Sequence, residues 1–209
     1  MPLSDQEKHI SKAMETASQV TALVNQARAG SKSAFEQLVD LFHEDIFRMV
    51  YYRTRARMDA EDITQEIFLN AFKSLSKLKK VEQFRIWLIR IGVNRISDFY
   101  RKKRVRAIFG AYSDDDNIDQ SDITNNNQPE AMNNLLKQEF WKHIGVMLEK
   151  LSSMEREVFL LRFMDHLNIK EISQVLKRSE SSVKTHLYRA LQKFRKEPEL
   201  INLLKEETP

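Results

Sequence analysis

The sequence has no cysteine, which excludes a disulfide framework and any thiolate metal site. Glycine and proline number four each in 209 residues, too few to supply the turns of a many-stranded sheet. No apolar run approaches the ~18 residues that span a bilayer, and no basic start leads into an apolar stretch with a cleavage site. The expectation is a soluble, cytoplasmic protein without membrane insertion. Catalytic signatures are equally scarce. Gly-rich phosphate loops and nucleophile elbows are missing, and His9, His43, His143, His166 and His186 are scattered. Asp62 and Glu66 stand one turn apart, as chelating carboxylates do, but no Glu-x-x-His or His-Glu-x-x-His partner accompanies them. The acidic run from Asp114 lacks the glycine at position six and the terminal Glu of an EF-hand loop. No enzyme activity, metal or cofactor is therefore expected.

What is abundant points to helices. Leu, Lys, Glu, Gln, Arg, Ala and Met dominate, and these are the residues that lose least on entering a helix. The expected class is all-α, arranged as two small helical domains. A net charge of +4 says little by itself, but its distribution says more. Residues 85–106 carry Arg85, Arg90, Arg95, Arg101, Lys102, Lys103, Arg104 and Arg106 against one acid, Asp98. Residues 170–196 are similarly basic. Between them, Ser113 to Asn134 holds Asp114, Asp115, Asp116, Asp119, Asp122 and Glu130 among asparagines, with almost no apolar content. The expected division is an extension over 1–20, a helical domain over 21–106, an acidic linker over 107–134, a second helical domain over 135–196 and a tail over 197–209. As a coil the linker has a root-mean-square span of about 30 Å, and about 95 Å when fully extended. Leu200, Ile201, Leu203 and Leu204 of the tail have the spacing of a short amphipathic helix.

The second domain is marked by capping signals. Ser152 with Glu155, and Asn168 with Glu171, have the spacing of capping boxes. They predict helices from about Met154 to Met164 and from Ile169 to Leu176. A polar turn at Lys177-Arg178 and a new start at Ser179 complete a helix-turn-helix. On the last helix Val183, Leu187, Ala190 and Phe194 fall within about 60° of one another at 100° per residue and face a core. Lys184, Thr185, Tyr188 and Arg189 project from the other side, near the N-terminal half that a recognition helix inserts into the major groove. Arg can pair with guanine O6 and N7, Thr can touch a base edge or a thymine methyl, and Lys can neutralise a phosphate. Lys177 stands where a turn of this kind commonly has glycine, so it must accept a positive φ at some cost.

In the first domain, Asp59 to Leu75 is a helix with Ile63, Ile67, Phe68, Ala71, Phe72 and Leu75 on its apolar side. Asp62, Gln65, Glu66 and Leu69 lie opposite. A leucine in an acidic and amide stripe fits a docking surface for a protein partner, and it also fits a solvated face with one exposed leucine. The next helix, about Glu82 to Lys103, is expected to bury Ile86, Ile89, Val93, Ile96 and Tyr100 and to show Trp87, Arg90, Asn94 and Arg101. An indole on a basic face suits the stacking of unpaired bases. Trp87 packing against Phe84 in a secondary core is the other reading, and for Arg101 to Arg104 the other reading is a solvated helix end.

Taken together, three strings carry a resemblance. Asp59-Ala-Glu-Asp-Ile-Thr-Gln-Glu-Ile-Phe-Leu-Asn-Ala-Phe72, then Phe84-Arg-Ile-Trp-Leu-Ile-Arg-Ile-Gly-Val-Asn94, then Tyr100-Arg-Lys-Lys-Arg104, resemble the sigma-2 domain of extracytoplasmic-function (ECF) sigma factors. Leu151 to Arg162, Ile169 to Leu176 and Ser182 to Ala190 look like their sigma-4 domain. The resemblance implies an alternative sigma factor that binds core RNA polymerase, recognises promoter DNA and promotes strand opening without ATP. The rival reading is a stand-alone helix-turn-helix regulator that does not join the polymerase. Carried over by position, Asp62, Gln65, Glu66 and Leu69 match the stripe that docks on the clamp helices of the largest polymerase subunit. Asn94 matches a contact to an extruded base of the minus-ten element, with the Leu78 to Arg85 loop helping to form the pocket. Lys184, Thr185, Tyr188 and Arg189 match the face that reads the minus-thirty-five element. The family also implies a stress-responsive role, a linker threaded near the polymerase active-centre cleft, and control by an anti-sigma factor at the membrane.

Overall fold

The computed structural model describes residues 5–108 and 145–195, with side chains described for 17–107 and 145–195. Every regular element among these residues is helical. The chain divides into two compact units, Met1–Asp119 and Gln120–Pro209. Ser113 to Asn134, and the tail with Leu200 to Leu204, lie outside the described residues.

The first unit contains α1 (Asp5–Arg28), α2 (Lys32–Thr54), α3 (Arg57–Ser74), two 3-10 turns (Leu75–Lys77 and Val81–Gln83) and α4 (Phe84–Ile108). Gly30, at φ 103°, allows the chain to reverse after α1. Ser31 then caps α2, its Oγ accepting from the Ala34 amide at 3.2 Å. α1 packs on α2 and on both 3-10 turns, α2 on α3 and α4, and α3 on α4. Val24, Leu38, Val50, Ile67 and Leu88 are fully buried between them. Each such side chain contributes about 1.5–3 kcal/mol when withdrawn from water. At Gly92, in the middle of α4, an added Cβ would lie 2.3 Å from the Met49 methyl, so glycine admits that side chain against the helix backbone. Two boundaries differ from expectation. α1 runs without a break through residue 20, where an extension was expected to give way to a domain, and Leu23, Val24 and Ala27 join the core. α4 continues past Lys103 to Ile108.

In the second unit, a helical segment over 145–149 precedes α5 (Ser153–Phe163), α6 (Ile169–Leu176) and α7 (Glu180–Phe194). Both expected capping boxes form. The Glu155 amide donates to Ser152 Oγ at 3.4 Å and the Ser152 amide to Glu155 Oε2 at 3.0 Å. At α6 the Glu171 amide donates to Asn168 Oδ1 at 3.0 Å and the Asn168 amide to Glu171 Oε2 at 2.8 Å. Each box satisfies amides that the first turn leaves without helical partners. α6 ends at Lys177, which takes φ 52° and ψ 48°, the left-handed conformation expected of it. Ser179 then caps α7 through its Oγ, which accepts from the Ser182 amide at 3.2 Å. The core joins Met147, Leu148 and Leu151 to Phe159, Leu160, Ala190 and Phe194, with the Phe159 and Phe194 rings stacked 4.4 Å apart.

Candidate nucleic-acid and docking interfaces

On α7 the division between buried and exposed residues follows the spacing. Val183, Ala190 and Phe194 are buried and Leu187 half-buried, while Lys184, Thr185, Tyr188 and Arg189 are all exposed. The Thr185 hydroxyl donates to the Ser181 carbonyl at 2.9 Å, and the Gln192 amide donates to the Tyr188 hydroxyl at 2.7 Å, which steadies the ring from the next turn. Tyr188 is 60% exposed, a large aromatic surface for a helix in water. The four residues form one patch on a helix held at its start by a cap and along its length by the core. That arrangement can present cations, a hydroxyl and a ring to a nucleic-acid groove.

α3 carries a second surface. Asp62, Gln65 and Leu69 are exposed on one stripe, and the leucine stands 51% out of the protein. Met58 and Phe72 extend this stripe at each end, at 79% and 47% exposure. Phe72 is therefore a correction, since it was expected among the buried residues. It sits at the edge of the apolar face, where its ring makes an edge contact with Phe35, ring centres 5.0 Å apart. The spacing of positions 58, 62, 65, 69 and 72 could have revealed an apolar-ended stripe from the sequence. Glu66 departs from this stripe. It is half-buried on the flank toward α4, where its Oε2 accepts from both Nε and Nη2 of Arg95.

α4 supplies the third surface, where Trp87 follows the second of its two readings and Tyr100 is a correction. Trp87 is only 8% exposed and packs on Phe84, ring centres 5.8 Å apart, while Phe84 packs on Phe42. By helical spacing Trp87 shares a face with Asn94 and Arg101, but this end of α4 is closed by neighbouring apolar groups. Its indole is not a free stacking platform. Tyr100, expected to be buried, is 40% exposed and its hydroxyl donates to the Arg53 carbonyl at 2.5 Å, fastening α4 to the end of α2. Ile86 is half-buried, and Ile89, Val93 and Ile96 are buried as expected. Asn94 is exposed and Arg90 half-exposed, while Arg101 is exposed beside Asp98 at 3.0 Å. Leu78 of the expected pocket loop is buried, and so anchors that loop to the unit. No group of three or more metal-ligating side chains occurs among the described residues, and no described helix is long and apolar enough to cross a membrane.

Two helical units, the second built around a capped helix-turn-helix, have the form of proteins that bind promoter DNA. Comparison with known proteins identifies the class. Residues 38–106 match Sigma-70 region 2, and residues 143–194 match Sigma-70, region 4. The chain is 32% identical over 141 residues to a probable RNA polymerase sigma factor of Haemophilus influenzae, covering 63% of this chain and 72% of that one. It is 26% identical over 170 residues to the ECF RNA polymerase sigma factor BldN of Streptomyces coelicolor, covering 81% of this chain and 62% of BldN, so it spans less than two thirds of that relative. The solved structure of CnrH in complex with the cytosolic domain of CnrY has the same fold, with a TM-score of 0.61 and 24% identity over 91% of this chain and 99% of that one. The chain belongs to the sigma-70 family of RNA polymerase sigma factors, in its ECF class.

Proposed function

We propose that this sigma factor joins core RNA polymerase through the α3 stripe of Asp62, Gln65 and Leu69 together with Glu66 on its flank, captures unpaired minus-ten bases with α4, and reads the minus-thirty-five element with α7. The observation that carries this reading is the concurrent exposure of Lys184, Thr185, Tyr188 and Arg189 on one face of a capped second helix of a helix-turn-helix. A bidentate Arg and a hydroxyl can distinguish base pairs in a major groove, while a Lys beside them holds the backbone by neutralising phosphate. On α4, Asn94 provides the amide for a base edge, with Arg90 and Arg101 near the strand. Trp87 serves that face by packing the helix start rather than by stacking on DNA. Residues 107–134 join the two activities, with the sigma-2-like part over 21–106 and the sigma-4-like part over 135–196. The chain acts in the cytoplasm as a binding subunit rather than an enzyme. An anti-sigma factor is a further partner, a reading supported by the sigma factor RpoE of Bartonella quintana, which is similar in fold, having been solved with the anti-sigma factor NepR.

The stripe on α3 separates this account from a stand-alone regulator. Asp62→Lys is expected to abolish co-purification with core polymerase while leaving binding of the full chain to duplex promoter DNA unchanged. Retention of polymerase binding by Asp62→Lys together with Leu69→Asp would remove the docking role from α3.

A further inference from the structure

Arg95 follows Asn94 on α4. Its side chain is 20% exposed, and two of its donors, Nε and Nη2, converge on one oxygen of Glu66. The partner lies on α3, 29 residues earlier. Glu66 is itself 44% exposed, so its carboxylate can be approached from solvent while it holds the guanidinium. The ion pair thus bridges the edge of the α3 stripe and the edge of the Asn94 face. A guanidinium is the side chain best matched to a phosphate, since its planar fork can donate twice. Held on Glu66, it is neutralised where the DNA strand would pass.

We propose that Arg95 is a further strand-contacting residue, kept on Glu66 until a basic group of core polymerase takes that carboxylate. The proposal rests on the docking role of α3 and the base-capture role of α4 given above. Docking and strand capture then compete for one ion pair within a single unit. In the free sigma factor the pair suppresses single-strand binding, and engagement of Glu66 releases the guanidinium beside Asn94. The energy required is small, because partly exposed ion pairs are weak and a competing cation can displace one.

The test is fluorescence anisotropy of the full chain, without polymerase, on fluorescein-labelled single-stranded DNA of random sequence and about 12 nucleotides. Glu66→Gln is expected to bind about two- to fivefold more tightly than wild type, the size of effect an ion pair of this exposure can exert. Asp62→Asn removes the same charge one turn away and is expected to give a smaller gain. The excess must vanish in Glu66→Gln/Arg95→Gln, whereas Arg95→Gln alone leaves binding near wild type. Glu66→Ala, which leaves the guanidinium no acceptor at position 66, is expected to give at least the gain of Glu66→Gln. Equal gains from Glu66→Gln and Asp62→Asn, or a gain that survives Arg95→Gln, would overturn the proposal. If that happens while Arg90→Ala and Asn94→Ala still weaken binding, only the gating by Glu66 fails. If Arg90→Ala and Asn94→Ala are also silent, the base-capture role of α4 fails with it.

Discussion

Glu155 at the start of α5 and Lys193 near the end of α7 meet at 2.7 Å, carboxylate Oε2 to Nζ, with the carboxylate almost wholly buried. The same oxygen accepts from the Ser152 amide, and Lys193 also donates to the Lys150 carbonyl at 3.3 Å. One carboxylate therefore caps a helix and fixes the far end of the recognition helix to the domain. The hydrogen bond from Lys193, then that from the Ser152 backbone, lowers the pKa of Glu155 below its ordinary value, against the opposing effect of burial.

This arrangement makes the second unit sensitive to acid in a defined direction. Because the folded-state pKa is the lower one, ionised Glu155 stabilises fully above the ordinary carboxylate range, and that contribution disappears as pH falls through the lowered value. Glu155→Gln keeps a capping side chain but loses the charge, and is expected to cost about 1–2 kcal/mol at neutral pH. Thermal unfolding followed across pH should show the variant and wild type converging in acid. A constant difference at all pH values would assign the loss to packing instead.

Lys177 holds the turn of the helix-turn-helix in the left-handed region, where a Cβ crowds the following carbonyl. Lys177→Gly relieves that contact and is expected to stabilise the unit by roughly 0.5–1 kcal/mol after the added freedom of glycine in the unfolded chain is deducted. Lys177→Val, with a branched Cβ at the same φ, should destabilise it. Melting temperatures by circular dichroism decide the matter, and a lower value for Lys177→Gly would show that the lysine side chain itself stabilises the turn.

Base readout and phosphate contact separate on α7. Arg189→Ala is expected to cost about 1–3 kcal/mol on the preferred duplex and to relax selectivity at one base pair. Lys184→Ala should weaken all duplexes alike and reduce the salt dependence of binding by about one phosphate contact. Titration of a set of singly substituted duplexes at two salt concentrations distinguishes them. A uniform loss for Arg189→Ala would place that residue on the backbone.

For Trp87 the expected consequence is structural. Trp87→Ala should destabilise the first unit by about 3–5 kcal/mol, as large-to-small changes in a packed site do, and Trp87→Phe should lose much less. If Trp87→Phe folds normally and yet fails to open promoters, the indole has a direct role that its burial argues against.

The helix-turn-helix was the most legible part of the sequence, because capping boxes and helix spacing are local. Ser152, Glu155, Asn168 and Glu171 announce their helices within four residues, and observed boundaries differ from expectation by at most one. What could not be seen depends on partners distant in sequence. For Trp87 the neighbouring Phe84 leaves both readings open, and only its burial, with Phe42 of α2 packed on Phe84, decides between them. Glu66 looks like one more acid on a solvent stripe until Arg95 of α4 is found beside it. Likewise the join expected at residue 20 fell inside α1, since nothing there interrupts a helix and the residues just beyond it enter the core. Met58 and Phe72 share the helical spacing of Leu69 and are exposed with it, so the α3 surface is more apolar than its charges imply.

The central claim is that one chain both recruits core polymerase to promoters and helps to open them, and transcription from a genomic promoter library with purified core polymerase tests it most directly. Addition of the full chain should yield specific transcripts with permanganate-reactive start sites. Asn94→Ala should lose that reactivity while keeping most of its duplex binding. Absence of any chain-dependent transcript across the library, with duplex binding intact, would contradict the account.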